Sequence, residues 1–81
     1  MTIEVEFWNQ LAFQQKVRTW PPILDDLGIQ YEIDSDIQMI TIHPGNEIKA
    51  IQPNDRCTTI ILSSDEELLM FYQYGTINFT M

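Results

Sequence analysis

Three stretches of this chain alternate apolar and polar residues one for one, and that alternation limits what the chain can fold into. Ile3, Val5 and Phe7 alternate with Glu4 and Glu6. Ile29, Tyr31 and Ile33 alternate with Gln30, Glu32 and Asp34, and Ile77, Phe79 and Met81 with Asn78 and Thr80. A period of two sends successive side chains to opposite sides of an extended strand, so each segment has one face to bury and one to leave in water. Twenty-one residues are Ile, Val or Thr, which favours sheet over helix. A chain of 81 residues makes one domain with a thin core and has no room for a large closed cofactor cavity.

The segments between the strands supply the expected connections. Asn9 is placed to cap a helix from Gln10 to Trp20, in which Phe13, Val17 and Trp20 share a face at i, i+4 and i+7. Pro21-Pro22 is expected to break it, because proline lacks the amide donor and clashes with the preceding turn. A short new turn then covers 22–27 and stops at Gly28. Asp34-Ser35-Asp36 is turn chemistry, so 29–43 reads as a hairpin whose second strand is Ile37–His43. Ile48, Ala50 and Ile51 suit a short edge strand, Pro53-Asn54-Asp55 a turn, and Cys57–Leu62 a strand. Ser64 with Glu67 three residues on has the form of a capping box, and Asp65, Glu66 and Glu67 suit the positive end of a helix running to about Tyr74 and stopped by Gly75. The expected fold class is therefore α+β. It is a single domain over 1–81, with a mostly antiparallel sheet of four to five strands and two helices on one face, in the order β-α-β-β-β-α-β.

Twelve Asp and Glu against four Lys and Arg give a net charge of −8. Proteins held on nucleic acid by phosphate contacts need a basic surface, as do those that dock on anionic lipid, so both classes are excluded. The acids are not equivalent. Asp25, Asp26, Asp65, Glu66 and Glu67 have ordinary positions on helix surfaces or at a helix start. Glu4, Glu6, Glu32 and Asp34 fall on the polar side of their strands, with Gln30, Gln38, Asn78 and Thr80, and Asp36 lies beside them. Such a face can imitate a phosphate array and occupy the basic groove of a nucleic-acid-binding protein. Trp8 shares the parity of Glu4 and Glu6, and Tyr72 and Tyr74 add large rings of the kind that anchor interfaces. The expected contact residues are thus Glu4, Glu6, Trp8, Glu32, Asp34, Asp36, Tyr72 and Tyr74. The expected function is a non-enzymatic inhibitor or decoy with a basic protein partner, without direct nucleic-acid or membrane binding. The alternative is an assembly subunit or adaptor that oligomerises, for instance as a homodimer, through an open sheet edge.

Catalytic and metal chemistry find little support. His43 and Cys57 are the only residues that could form a nucleophile–base pair, with no Gly-rich elbow beside either. Asp34-x-Asp36 starts like a calcium loop but lacks the loop's glycine and terminal glutamate. No cofactor or metal is expected. The single cysteine suits a reducing interior, the N-terminus lacks the charged start and apolar run of a secretory signal, and no apolar stretch approaches the roughly 18 residues of a membrane span. Cytoplasm, of the source cell or of a host, is the expected setting.

The segment Thr58–Leu69, TTIILSSDEELL, resembles the second half of a PB1 domain, in which a strand leads through Ser-Asp-Glu-Glu-Leu into a helix and an acidic patch pairs with a basic partner domain. The resemblance covers about a sixth of the chain. It departs at the N-terminus, where a helix rather than a hairpin follows the first strand, and upstream of the strand, where only Asp55 stands for the acidic cluster. In type alone, the size, acidity and lack of a catalytic set are similar to phage- or plasmid-encoded inhibitors, including anti-CRISPR and DNA-mimic proteins, and to toxin-immunity proteins.

Overall fold

A computed structural model describes all 81 residues, Met1–Met81. The elements in chain order are β1 (Thr2–Phe7), α1 (Gln10–Asp26), β2 (Gln30–Asp34), β3 (Met39–His43), β4 (Ile48–Pro53), β5 (Cys57–Leu62), β6 (Glu67–Phe71), a single 3-10 turn (Tyr72–Tyr74) and β7 (Gly75–Thr80). Two antiparallel sheets form, one in the order β2-β3-β1-β7 and the other β4-β5-β6. The α+β expectation of two helices on a single sheet is thus corrected: there is one helix, and seven strands in two sheets hold 48% of the residues.

The alternation of β1 sets the layout. Ile3, Val5 and Phe7 are buried, as are Ile40 and Ile42 opposite them on β3. Helix α1 lies against this inner face. Asn9 caps it by accepting from the Ala12 amide at 2.9 Å, and Phe7 meets Phe13 and Trp20 at ring-centroid separations of 5.7 and 6.2 Å. The second sheet closes the same core with Ile60, Leu62, Leu68 and Met70. No helix is long and apolar enough to cross a membrane.

Helix α1 does not stop at Pro21-Pro22 but continues through both to Asp26. The prolines withhold the amides that would bond the Val17 and Arg18 carbonyls, a loss of about 3 kcal/mol in a helix interior. Trp20 and Leu24, both buried, flank the pair and hold the two halves of the helix on one core, so tertiary packing outweighs the broken ladder. Gly28 ends the element as expected, in the left-handed region at φ 69°.

The second correction is the C-terminal helix expected from Ser64 to Tyr74. In its place β5 and β6 form a hairpin followed by the 3-10 turn, and the likeness to a PB1 strand–helix unit fails with it. The Ser64 hydroxyl donates to the Glu66 carboxylate at 3.1 Å within the turn and caps no helix. Asp65 takes φ 68°, and the Leu62 amide donates to the Glu66 carbonyl at 2.9 Å, which is the pattern of a three-residue hairpin loop with a left-handed third residue. Lys49 on the neighbouring β4 pairs with Asp65 at 2.6 Å. Gly75 is accordingly no helix stop. It opens β7 against β1, where a Cβ would lie 2.0 Å from the Glu6 carbonyl oxygen.

The hairpin makes stability testable residue by residue. Leu68 and Met70 would lie roughly 200° apart on a helix but share one face of a strand. Leu68→Ala and Met70→Ala should therefore each cost about 2–5 kcal/mol by denaturant unfolding, while Leu69→Ala, on the half-exposed opposite face, costs about 1 kcal/mol or less. Gly75→Ala should cost about 3 kcal/mol or more, because the added carbon meets backbone and not a yielding side chain.

Candidate acidic interaction face

The outer face of the four-stranded sheet is covered by neither the helix nor the second sheet. The register arranges it in rows. Glu32, Thr41, Glu4 and Asn78 form one, and Asp34, Met39, Glu6 and Thr76 the next. Gln30 sits opposite His43, and Thr2 opposite Thr80, beyond the first row. None of these twelve side chains is buried, and none is Lys or Arg. The four sheet carboxylates expected to share a face therefore do share it.

The spacing of the charges follows from strand geometry. Glu4 and Glu6 are two residues apart on one strand, about 6.7 Å, and Glu32 and Asp34 likewise. The acid-bearing strands β1 and β2 are separated by β3, which contributes only Met39, Thr41 and His43 to this face, so the two acid columns stand about 9.6 Å apart. No carboxylate directly opposes another, and the column separation is close to the Debye length of about 8–10 Å at moderate salt. Glu32 is engaged within the face: its Oε2 lies 2.7 Å from His43 Nε2, a diagonal cross-strand contact.

The remaining expected contact residues lie around this face. Asp36 is exposed in the β2–β3 turn, where its amide donates to Asp34 Oδ1 at 3.0 Å. Gln38 belongs to that turn and not to the face, with φ 51°, and its side chain donates to the Phe7 carbonyl at 2.9 Å. Trp8 is 63% exposed and Leu11 76%. Beside Leu11, a shallow depression of about 360 Å³ is lined by Asn9, Ala12, Gln15 and Tyr74. Tyr74 is half-buried, packs edge-on against Phe71 at 6.1 Å, and accepts the Trp8 amide on its carbonyl at 2.7 Å. Tyr72 shares a 2.7 Å hydrogen bond between its hydroxyl and that of the buried Thr58. The two tyrosines thus tie the 3-10 turn to β1 and β5, and Trp8 is the ring of the three that stands in solvent.

Six residues of this surface are not among those expected from the sequence: Met39, Thr41 and His43 as members of the face, Leu11 as a second exposed apolar side chain near the start of α1, and Thr2 and Thr76, which carry the parity of Glu4 and Asn78 one step further along β1 and β7. The alternation of Ile40 and Ile42 with Thr41 and His43 carries the signal for the first three. Leu11 lies off the helical face defined by Phe13, Val17 and Trp20, which is the signal for the fourth.

The four bases lie elsewhere. Lys16 and Arg18 are on α1, where partial burial lowers the Lys16 pKa and its Nζ stands 5.6 Å from the Trp20 ring centroid. Lys49 and Arg56 belong to the second sheet and its turns. His43 contacts Glu32, whereas the buried Cys57 contacts Asn54, whose Nδ2 lies 3.4 Å from its Sγ. Nowhere do three His, Cys, Asp or Glu side chains converge as metal ligands. No protein-family model matches the chain, and neither the curated proteins nor the solved structures contain a match.

An open trough of about 730 Å³ borders the face at the β2 edge and includes Asp25, Tyr31, Glu32 and His43. There the Tyr31 hydroxyl donates to Asp25 Oδ2 at 3.4 Å. Desolvation, then the charge of Asp25, then this hydrogen bond raise the Tyr31 pKa above 10.0. The fold favours the protonated phenol. Its contribution is complete below the ordinary phenol range and is lost as pH rises through the elevated value. In an ultraviolet titration, Asp25→Asn should move the Tyr31 transition downward, toward the ordinary phenol value.

Proposed function

We propose that this protein is a non-enzymatic binding module that docks its acidic sheet face on the basic, nucleic-acid-contacting surface of a protein partner, and so acts as an inhibitor or decoy. The observation that carries the reading is the composition of one exposed face: four carboxylates in two columns and no Lys or Arg among its twelve side chains. Solvated surfaces usually mix both signs, and a face of one sign steers an oppositely charged partner and repels its own kind. Glu4, Glu6, Glu32 and Asp34 supply the charge, with Asp36 at the rim. Exposed Trp8, two residues past Glu6 in the chain, supplies an anchor that docking would desolvate. Tyr72 and Tyr74 contribute by positioning that corner through Thr58 and the Trp8 amide. In this reading a nuclease or another nucleic-acid-binding protein is the class of partner, the cytoplasm is the setting, and the mode of action resembles that of phage-encoded DNA mimics and anti-CRISPR proteins.

The test compares the native chain with the variant Glu4→Gln/Glu6→Gln/Glu32→Gln/Asp34→Asn as bait in host extract. The native chain should retain a basic protein that duplex DNA displaces, and retention should fall steeply between low and physiological salt. The neutralised variant should lose that protein while gaining thermal stability at low salt, because like-charge repulsion across the face is relieved. Equal capture by both baits, or capture indifferent to salt and DNA, would sink the proposal.

A further inference from the structure

The four-stranded sheet ends on two unlike edges. Strand β2 carries Glu32 and Asp34, whereas β7, Gly-Thr-Ile-Asn-Phe-Thr, has neither a charge nor a proline. Its one strand partner is β1, and no other hydrogen bond engages Thr76–Thr80. Unpaired strand edges template further pairing, and proteins blunt them with charge, proline or a bulge. The edges of the other sheet carry such devices: β4 has Lys49, Pro53 and a register shift between Ile48 and Ala50, and β6 begins with the charge of Glu67. Strand β7 has no such device. It also presents apolar surface on its inner side, where Ile77 is half-buried and Phe79 is 40% exposed.

We propose that two copies of this chain associate by antiparallel pairing of β7 with β7, about a two-fold axis at Asn78. That register sets Ile77 opposite the partner's Phe79 on the inner face, twice by symmetry. It sets Thr76 opposite the partner's Thr80, and Asn78 opposite the partner's Asn78, on the outer face. Charge selects this edge over β2. Pairing β2 with β2 would bring Glu32 and Asp34 of two copies within one strand spacing of each other. Through β7 the nearest acid columns, those of β1 in each copy, stand three strand spacings apart, about 14 Å, beyond the Debye length at physiological salt. The product is a continuous eight-stranded sheet on which the two acidic faces become one surface, able to engage a partner bivalently. An interface of this length is at the small end of the range, so the dimer is a concentration-dependent one. The inference stands on the β7 edge and does not depend on what the acidic face binds.

Sedimentation velocity on the full chain from about 1 μM to about 1 mM should show a monomer passing to a dimer. Raising salt should strengthen that dimer, since each copy carries −8, whereas the proposed partner binding weakens. Asn78→Lys, on the exposed outer face, should weaken self-association by up to about fivefold by opposing two like charges at the axis, an effect that Glu4 opposite it on β1 only partly offsets. Gln30→Lys, the same charge change on the β2 edge, should not. Hydrogen exchange of the native chain should show Thr76–Thr80 amides slowing with concentration while those of β4 do not. A chain that stays monomeric to about 1 mM, or a dimer weakened equally by both lysine variants, would overturn the proposal.

Discussion

The hydrogen bonding of β1 on both sides, to β3 and to β7, is the constraint on which the rest of the structure depends. An interior strand with a strict two-residue alternation divides the molecule into two sides. One side takes Ile3, Val5 and Phe7 into the core, where Phe7 holds α1 through Phe13 and Trp20. The other takes Glu4 and Glu6 into water. A shift of one residue in either pairing would exchange these sides and bury two carboxylates. The same register that builds the core therefore builds the acidic face. The close passage of Gly75 past the Glu6 carbonyl belongs to that register as well, since β7 reaches Phe7 only without a side chain at this point.

Much of the face is legible in the amino-acid sequence, because parity is a local property. Glu4, Glu6, Glu32 and Asp34 need only the alternation of their own segments. Gln38 departs from its expected place because it has the parity of Ile40 and Ile42 and so belongs to the inner side of its segment, opposite to Met39, Thr41 and His43; it also ends the β2–β3 turn in a left-handed conformation beside Phe7. The absence of the second helix has a different cause. Leu68-Leu69-Met70-Phe71 is a continuous apolar run that fits a helix start or a strand equally well, and the acids before it tip the local balance toward a helix. Tertiary contacts decide it: pairing of β6 with β5 places Leu68 and Met70 together in the core, and the Tyr72 hydroxyl bonds that of Thr58. Pro21-Pro22 shows the same ranking of forces. The local rule ends a helix there, and burial of Trp20 and Leu24 on either side overrides it.

The acidic face also bears on the difference between a solvated surface and a used one. Net negative charge keeps a small protein soluble wherever it is placed, and scattered or sign-mixed charge does so without self-repulsion. Here the charge is concentrated. Four carboxylates share one face, and no base of the chain lies among them, although Lys and Arg are present on the helix and on the second sheet. The only cationic group that can form within the face is the His43 imidazole, already against Glu32. Uncharged residues of β3 hold the two acid columns about a Debye length apart, which limits the repulsion without cancelling it. A face of one sign with no Lys or Arg among its residues gains most from an external cationic surface. Trp8 stands exposed two residues past Glu6 in the chain, which gives such a surface an apolar contact as well as a charge. In the proposed reading, charge would supply the encounter and the orientation, and the Trp8 ring, exposed in the free protein and buried on docking, would supply the residence time, the division of labour expected of a module that competes with nucleic acid for a basic groove.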